Sequence, residues 1–510
     1  MNADTKKTGL GVLVGAGSGD PKLITVAGAD WLKKADVVIY DRLANPQLLS
    51  YAPTNAEMIY VGKKPDCHTL KQDEINQLLV EKVSAGNLVV RLKGGDPLIF
   101  GRGAEEVSAL KQANLNFRIV PGISAAISVG AYAGIPMTDR EFASSFALVT
   151  GHEDPAKSES SIDFNALAKL DTLAFYMGVG NLQNIVDQLI KAGKSPETPA
   201  AIVQNATFPT QRTFVTSLRD IQQVAEQNSV KPPALIIVGK TCLRHDTLSW
   251  FENLPMFGQN IMVTRSRTQQ SKLADMLSEL GANAIQAPTI EISSVENDHE
   301  VLEILQSITE KQFDWIVFTS PNGVDHFCAQ CTKHKFDARL LADVKIASVG
   351  AGTTSALNKR FLNADFMPAK YTTESLGNEL THYEHMQGKN VLLVRSNLAP
   401  EVLPDILKSA GAKVTDSVFY INSQPAELPS SAKQLLNEDK IDWVTFTSSS
   451  TVENLLAMIG SESLKNVKLA SIGPVTSQAL QKAELYPTVE ASEHTIAGLV
   501  AAISQYLGDK

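Results

Sequence analysis

Residues 88–106 read LVVRLKGGDPLIFGRGAEE, and their punctuation decides the fold of the N-terminal half. Residues 88–92 read as a short buried strand. Gly94 and Gly95 follow at once, and adjacent glycines let a backbone turn sharply and lie close to a ligand. Pro97 fixes its own φ and restricts Asp96. A second bend, Gly101-Arg102-Gly103, leads into a helix expected to begin near Ala104. Strand, glycine turn and helix in this order put Lys93, Arg102, Glu105 and Glu106 at a strand's carboxyl end, where open α/β sheets bind ligands. Read locally, the same residues also fit a tight surface turn with solvent-facing charges.

The flanking sequence repeats the pattern. Residues 10–14 form an apolar strand, followed by Gly15-Ala16-Gly17-Ser18-Gly19-Asp20-Pro21. The glycine spacing is not that of a dinucleotide fingerprint, so a nucleotide-binding loop and a plain strand-to-helix turn both stand. Residues 22–34 suit a helix and 36–40 a second strand. After a strand at 117–120, the small residues Gly122, Ser124, Ala125 and Ala126 permit either close approach of a cofactor or tight helix packing. EDPAKSESSIDF (153–164) reads as a polar, flexible loop. Strands at 173–177, 200–204, 212–215 and 235–238, with a helix over 181–192, complete a second layer. Two α/β subdomains, about 9–122 and 123–245, are therefore expected, with a cleft between them.

An aromatic linker ends at residue 259, with Trp250, Phe251 and Phe257 predicting packing rather than disorder. Beyond it lies an internal duplication. IMVTRSRTQQSKLADMLSELGA (261–282) echoes VLLVRSNLAPEVLPDILKSAGA (391–412), DWIVFTSPNGV (314–324) echoes DWVTFTSSSTV (442–452), and KIASVGAGTTSAL (345–357) echoes KLASIGPVTSQAL (468–480). Each copy alternates strands with amphipathic helices, which predicts two parallel α/β domains. Polar residues recur after strands: Thr264, Arg265, Thr319, Ser320, Ser348, Arg395, Ser396, Ser448, Ser471 and Gly473. At such places a helix N-terminus offers free N–H groups to carboxylates, while Ser and Thr are also ordinary N-caps.

At 510 residues the chain exceeds what one core supports, so several domains are expected. A net charge of −9 argues against a general nucleic-acid surface. Four cysteines make no disulfide framework, and Cys328 and Cys331 lack a second pair for zinc, so no metal is expected. No apolar run is long enough for a signal peptide or a membrane span, which makes the cytoplasm the expected compartment.

The quoted stretch, with VGAGSGDPKLIT (14–25), ADVVIYD (35–41), VPGISAA (120–126), YAGIPMTDR (132–140), FYM (175–177) and PALIIVG (233–239), resembles the uroporphyrinogen-III C-methyltransferases of the tetrapyrrole methylase family. The resemblance implies S-adenosylmethionine as methyl donor, two methyl transfers to uroporphyrinogen III giving precorrin-2 for sirohaem or cobalamin, and a homodimer formed through this half. It assigns donor contacts to Gly15, Gly17, Asp20, Pro21, Gly94, Gly95, Asp96, Ile99, Ser124, Ala125, Ala126, Met177 and Ala206. It assigns the tetrapyrrole to His68, Arg102, Arg140 and Met177, with Arg102 and Glu105 as catalytic candidates. Three positions depart from the family pattern: Ser18 replaces a proline, Asp139 a histidine and Ala206 a glycine. A carboxylate at Asp139 would repel an acidic substrate unless Arg140 or a lysine paired with it.

Residues 260–507 resemble uroporphyrinogen-III synthase through TSPNGV, FMPAKYTTESL (366–376), FTSSSTV, ASIGPVTSQAL and VEASEHTIAGLV (489–500). That resemblance implies a bilobal fold, with 260–290 and 424–510 in one lobe and 295–417 in the other. Periodicity alone predicts two sequential domains instead. It also implies closure of hydroxymethylbilane, with inversion of the last ring and loss of water. Tyr420 would be the catalytic tyrosine, and Thr319, Ser320, Ser448, Gly473 and Thr476 would line the cleft. An alternative is an active methyltransferase fused to a catalytically weak tetrapyrrole-binding domain.

Overall fold

The segment 88–92 is a strand, and it lies at the centre of its sheet. The computed structural model describes residues 9–62, 71–152, 161–265, 267–295 and 298–509. Five strands, β1 (Leu10–Gly15), β2 (Val37–Tyr40), β3 (Glu57–Tyr60), β4 (Leu88–Lys93) and β5 (Asn116–Val120), form a sheet in the order β3-β2-β4-β1-β5. Every pairing in it is parallel. Val12, Leu13, Val14, Val89, Val90 and Leu92 are all fully buried, as expected for parallel strands covered on both faces. Adjacency of β4, β1 and β5 brings three strand-end loops together.

A second sheet holds β6 (Phe146–Thr150), β7 (Thr172–Tyr176), β8 (Pro199–Gln204), β9 (Arg212–Ser217) and β10 (Ala234–Val238), in the order β6-β7-β10-β8-β9. Only β6 and β7 pair in parallel; the rest is antiparallel. The helix Ala125–Ala133 precedes this sheet and packs its Ala126, Val129 and Ala133 against Ala174, Ala201 and Ile237. The aromatic segment is packed, with Phe251 in edge contact with Tyr132, Trp250 and Phe257.

Ten strands follow: β11 (Asn260–Val263), β12 (Asn283–Gln286), β13 (Glu291–Ser294), β14 (Trp315–Phe318), β15 (Lys345–Ser348), β16 (Asn390–Ser396), β17 (Lys413–Ser423), β18 (Trp443–Phe446), β19 (Lys468–Ser471) and β20 (Val489–Glu490). They make two sheets, β12-β11-β18-β19-β20 and β13-β17-β16-β14-β15. The repeat therefore does not fold as two sequential domains: the chain leaves the first sheet after β12 and returns at β18. The second sheet is not parallel throughout, because β13 runs antiparallel to β17, pairing Ser294 with Tyr420. The chain divides into two compact units, one of residues 9–259 with 277–283, the other of 260–276 with 284–509. Among the described residues no helix is long and apolar enough to cross a membrane.

Candidate active sites

In the first unit the loops after β1, β4 and β5 meet through glycine backbone. Gly95 N–H donates to Gly17 O at 2.7 Å, and Gly17 N–H returns a bond to Gly95 O at 3.3 Å. Gly122 closes the cluster: a Cβ there would stand 2.2 Å from Gly95 O and 2.7 Å from Gly15 Cα, so no side chain fits. Gly95 lies at φ 69°, and a Cβ added there would meet Ala125 N at 3.8 Å, an ordinary contact. The result is a cradle walled by backbone.

The acids of this region are engaged. Asp96 accepts from Leu98 N at 2.8 Å and from Gly122 N at 3.1 Å. Asp20 caps the turn that Pro21 begins, accepting from Lys22 N at 2.8 Å and from the Tyr132 hydroxyl at 2.6 Å. Burial, reinforced by Asp20, raises the Tyr132 phenol above its ordinary value. Both aspartates thus brace the loops, a role that the resemblance does not separate from donor contact. Ser18 bonds Ser128 Oγ at 2.5 Å and receives the Thr207 hydroxyl on its carbonyl. The proline usual at that place could make no such side-chain bond. Ala206 lies between Asn205 and Thr207, both left-handed, and its carbonyl abuts Gly19.

Tyr176 has no counterpart among the sequence candidates. Its hydroxyl accepts from Ala126 N at 2.8 Å and bonds Ser124 Oγ at 2.7 Å, while its ring lies 5.0 Å from that of Phe100. The neighbouring Met177 is left-handed at φ 54° and 55 % exposed, so it does not fill the core. Leu98, Ile99 and Phe100 are exposed as well. Phe100 and Arg102 share the left-handed region with Met177, and such strain gathers where a site requires it.

Lys93, Arg102, Glu105 and Glu106, the four charges placed at the strand's carboxyl end, divide into two pairs. Lys93 and Glu106 are buried, with Lys93 Nζ 2.8 Å and Arg91 Nε 3.1 Å from Glu106 Oε1. They hold β4 to the helix Gly103–Gln112 and do not face solvent, contrary to the surface-turn alternative. Burial, then the charge of Arg91, lowers the Lys93 ammonium's pKa against the pull of Glu106. Arg102 and Glu105 are exposed and joined by two bonds of 2.8 and 2.7 Å, which lower the Glu105 carboxyl. Asp139 is neutralised by Arg244 at 2.9 and 3.1 Å, not by Arg140 or a lysine, and this pair holds its carboxyl at about 2. Arg140 is exposed. His68 lies outside the described residues, as do residues 153–160 of the polar loop 153–164.

In the second unit Tyr420 is buried, and its hydroxyl bonds Ser320 Oγ at 2.9 Å. Ser320 also caps the helix Pro321–Lys333, accepting from Gly323 N at 2.9 Å. Ser448 caps Ser449–Ile459 in the same way, through Thr451 N. Thr319 is half-buried. Gly473 and Thr476 are buried at the start of Pro474–Lys482, where Pro474 and Val475 are exposed. Arg395 is likewise internal, paired with Asp416. Ser348 and Ser471 are buried against Thr354 and Ser477. Of the repeated polar residues, then, several are structural. Among the described residues no cluster of His, Cys, Asp and Glu is arranged for a metal.

Comparison with known proteins separates the two units. The family model for tetrapyrrole (corrin/porphyrin) methylases matches residues 12–222, and that for uroporphyrinogen-III synthase HemD matches 271–501. The porphyrin biosynthesis protein HemD of Ruminiclostridium josui is 37% identical over 96% of this chain and 97% of its own length. The uroporphyrinogen-III C-methyltransferase of Methanocaldococcus jannaschii is 49% identical over 46% of this chain and 96% of its own. A crystallised uroporphyrin-III C-methyl transferase of Thermus thermophilus, complexed with S-adenyl homocysteine, is 39% identical, with a TM-score of 0.40, over 46% of this chain and 98% of that one. The chain is a fusion that belongs to the tetrapyrrole methylases through its N-terminal half and to the uroporphyrinogen-III synthases through its C-terminal half.

Proposed function

We propose that this bifunctional methyltransferase and synthase carries out consecutive reactions: it closes hydroxymethylbilane to uroporphyrinogen III, inverting the last ring and losing water, then methylates that product twice to give precorrin-2. The cofactor is S-adenosylmethionine, which supplies a methyl group on a sulfonium cation. The observation that carries the reading is the backbone cradle formed by Gly17, Gly95 and Gly122, with Tyr176 tied to Ser124 and Ala126 at its side. A loop built of glycine backbone suits a ligand held by main chain, and Ile99 and Met177 offer exposed apolar surface to it.

The polar groups suit an octacarboxylate. Arg140 is exposed, and Arg102 can exchange Glu105 for a substrate carboxylate, since guanidinium binds either in the same forked geometry. Glu105 is ionised, the form able to accept the proton that leaves the methylated ring, although its lowered pKa makes it a weak base. In the second unit, departure of hydroxide needs a hydrogen-bond donor. Tyr420 provides it while Ser320 supports its oxygen. Most of the acceleration comes from folding a flexible chain so that its ends meet, an effect of orientation.

The test is incubation of the whole protein with hydroxymethylbilane and S-adenosylmethionine, followed by product mass and isomer analysis. A type III macrocycle carrying two added methyls supports the proposal. Absence of both cyclisation and methylation rejects it.

A further inference from the structure

Tyr420 has a second neighbour that neither the repeat nor the family motifs single out. The His326 ring lies nearly parallel to the Tyr420 ring, with centroids 5.5 Å apart and planes 22° from each other. This is the offset stacking that aromatic rings prefer. His326 projects from the helix Pro321–Lys333, the helix that Ser320 caps. Its Nδ1 lies 3.3 Å from Ser294 Oγ on β13, and Ser294 is the register partner of Tyr420 across the antiparallel edge. Three elements thus converge on one phenol: β17 carries it, the helix supplies both Ser320 and His326, and β13 steadies the imidazole. Burial lowers the imidazole's pKa, against the opposing pull of Asp325. An uncharged ring therefore rests against Tyr420 at neutral pH.

Ser320 Oγ already accepts the Gly323 N–H. Its own hydrogen can then go to Tyr420 Oη, which leaves the phenol proton for the substrate. That geometry holds only while the Tyr420 ring is kept from turning away from Ser320. We infer that His326 is the positioning residue of the cyclisation site, fixing Tyr420 by ring stacking so that its hydroxyl stays aligned on Ser320. The inference rests on the proposed synthase reading.

The experiment is a double-mutant cycle on cyclisation by the full-length protein, with His326→Ala, Tyr420→Phe and both together. His326→Ala is expected to lower kcat by about tenfold with KM little changed, within the range that misplacing a reacting group costs. In the Tyr420→Phe background the same change is expected to cost nothing further, because there is no hydroxyl left to aim. His326→Phe, which keeps a ring, should retain most of the rate, whereas His326→Gln, which keeps only a hydrogen bond to Ser294, should not. If the alanine protein folds poorly, the phenylalanine and glutamine variants make the same comparison. Losses that multiply independently, an unaffected His326→Ala, or a phenylalanine variant as slow as the glutamine one would overturn the inference. Wild-type protein that fails to cyclise the substrate would instead overturn the underlying reading.

Discussion

Gly95 is asked for two things at once. Its φ of 69° lies in the left-handed region, and it sits within contact distance of the Ser124 and Ala125 backbone. Gly95→Ala would meet no clash, since the nearest atom to its Cβ is 3.8 Å away. The expected cost is then conformational, about 1–2 kcal/mol, together with a methyl group standing in the donor's place. Affinity for S-adenosylmethionine, read by calorimetry, should fall by about tenfold or more, equivalent to 1.4 kcal/mol per factor of ten. Unchanged affinity would remove this loop from the donor site. Asp139 yields a prediction of another kind. The Arg244 hydrogen bonds hold its carboxyl at about 2, below the ordinary value. Such a group adds stability that is present above roughly pH 4 and lost as pH falls through its folded value. Melting temperatures of wild type and Asp139→Asn should therefore differ above about pH 4 and converge between there and pH 2. Arg244 stands 105 positions from Asp139, and no local pattern could have pointed to it. Sequence logic looks to Arg140 because it is adjacent, but adjacent residues in extended or turning chain need not face one another.

At the scale of elements, the buried strands announce themselves, as do the edge strands β5 and β9, whereas two other edges do not. β1 and β10 are unbroken apolar runs, β4 and β8 are interrupted only by Arg91, Lys93 and Gln204, and every residue but the first of each strand is buried. β3 and β6 pass unnoticed in the sequence, each outermost in its sheet, half exposed and without a clean period. The segment 22–34 reads as one helix, yet it breaks at Ile24. Asp20 and Pro21 start a separate short turn, and Thr25 caps Val26–Leu32 by accepting from Gly28 N. The glycine cradle was legible as a set of flexible residues, but not the contact among them, which depends on β1 lying between β4 and β5. Tyr176 was invisible for the same reason: it binds the start of Ala125–Ala133 from another sheet. Tyr176→Phe would strip Ala126 N–H and the Ser124 hydroxyl of that partner. A loss of about 1–3 kcal/mol is expected for a donor left unsatisfied, measured by urea unfolding. Donor affinity should weaken alongside. Lower stability with unaltered affinity would make this helix start a structural feature only.

For the whole molecule, the decisive fact is that the chain divides into two compact units, each with a hydrophobic core of its own. Val12, Leu32 and Val90 belong to a core of the first unit, while Ile316, Phe318 and Phe419 belong to a core of the second. Changes at well-separated positions with no shared partners usually add without interaction. The two chemistries should consequently be separable by single substitutions in the intact chain. Gly95→Ala protein given hydroxymethylbilane and S-adenosylmethionine is expected to accumulate unmethylated type III macrocycle at the wild-type rate. Tyr420→Phe protein is expected to cyclise more slowly while methylating supplied uroporphyrinogen III as wild type does. Ionisation of a hydroxymethyl pyrrole is intrinsically easy, so slowing rather than abolition is the predicted effect of removing one donor. Isomer-resolved chromatography with mass detection reads both arms from the same reactions. Slower cyclisation in the Gly95 variant, or slower methylation in the Tyr420 variant, would mean that the two halves are energetically coupled despite their separate cores.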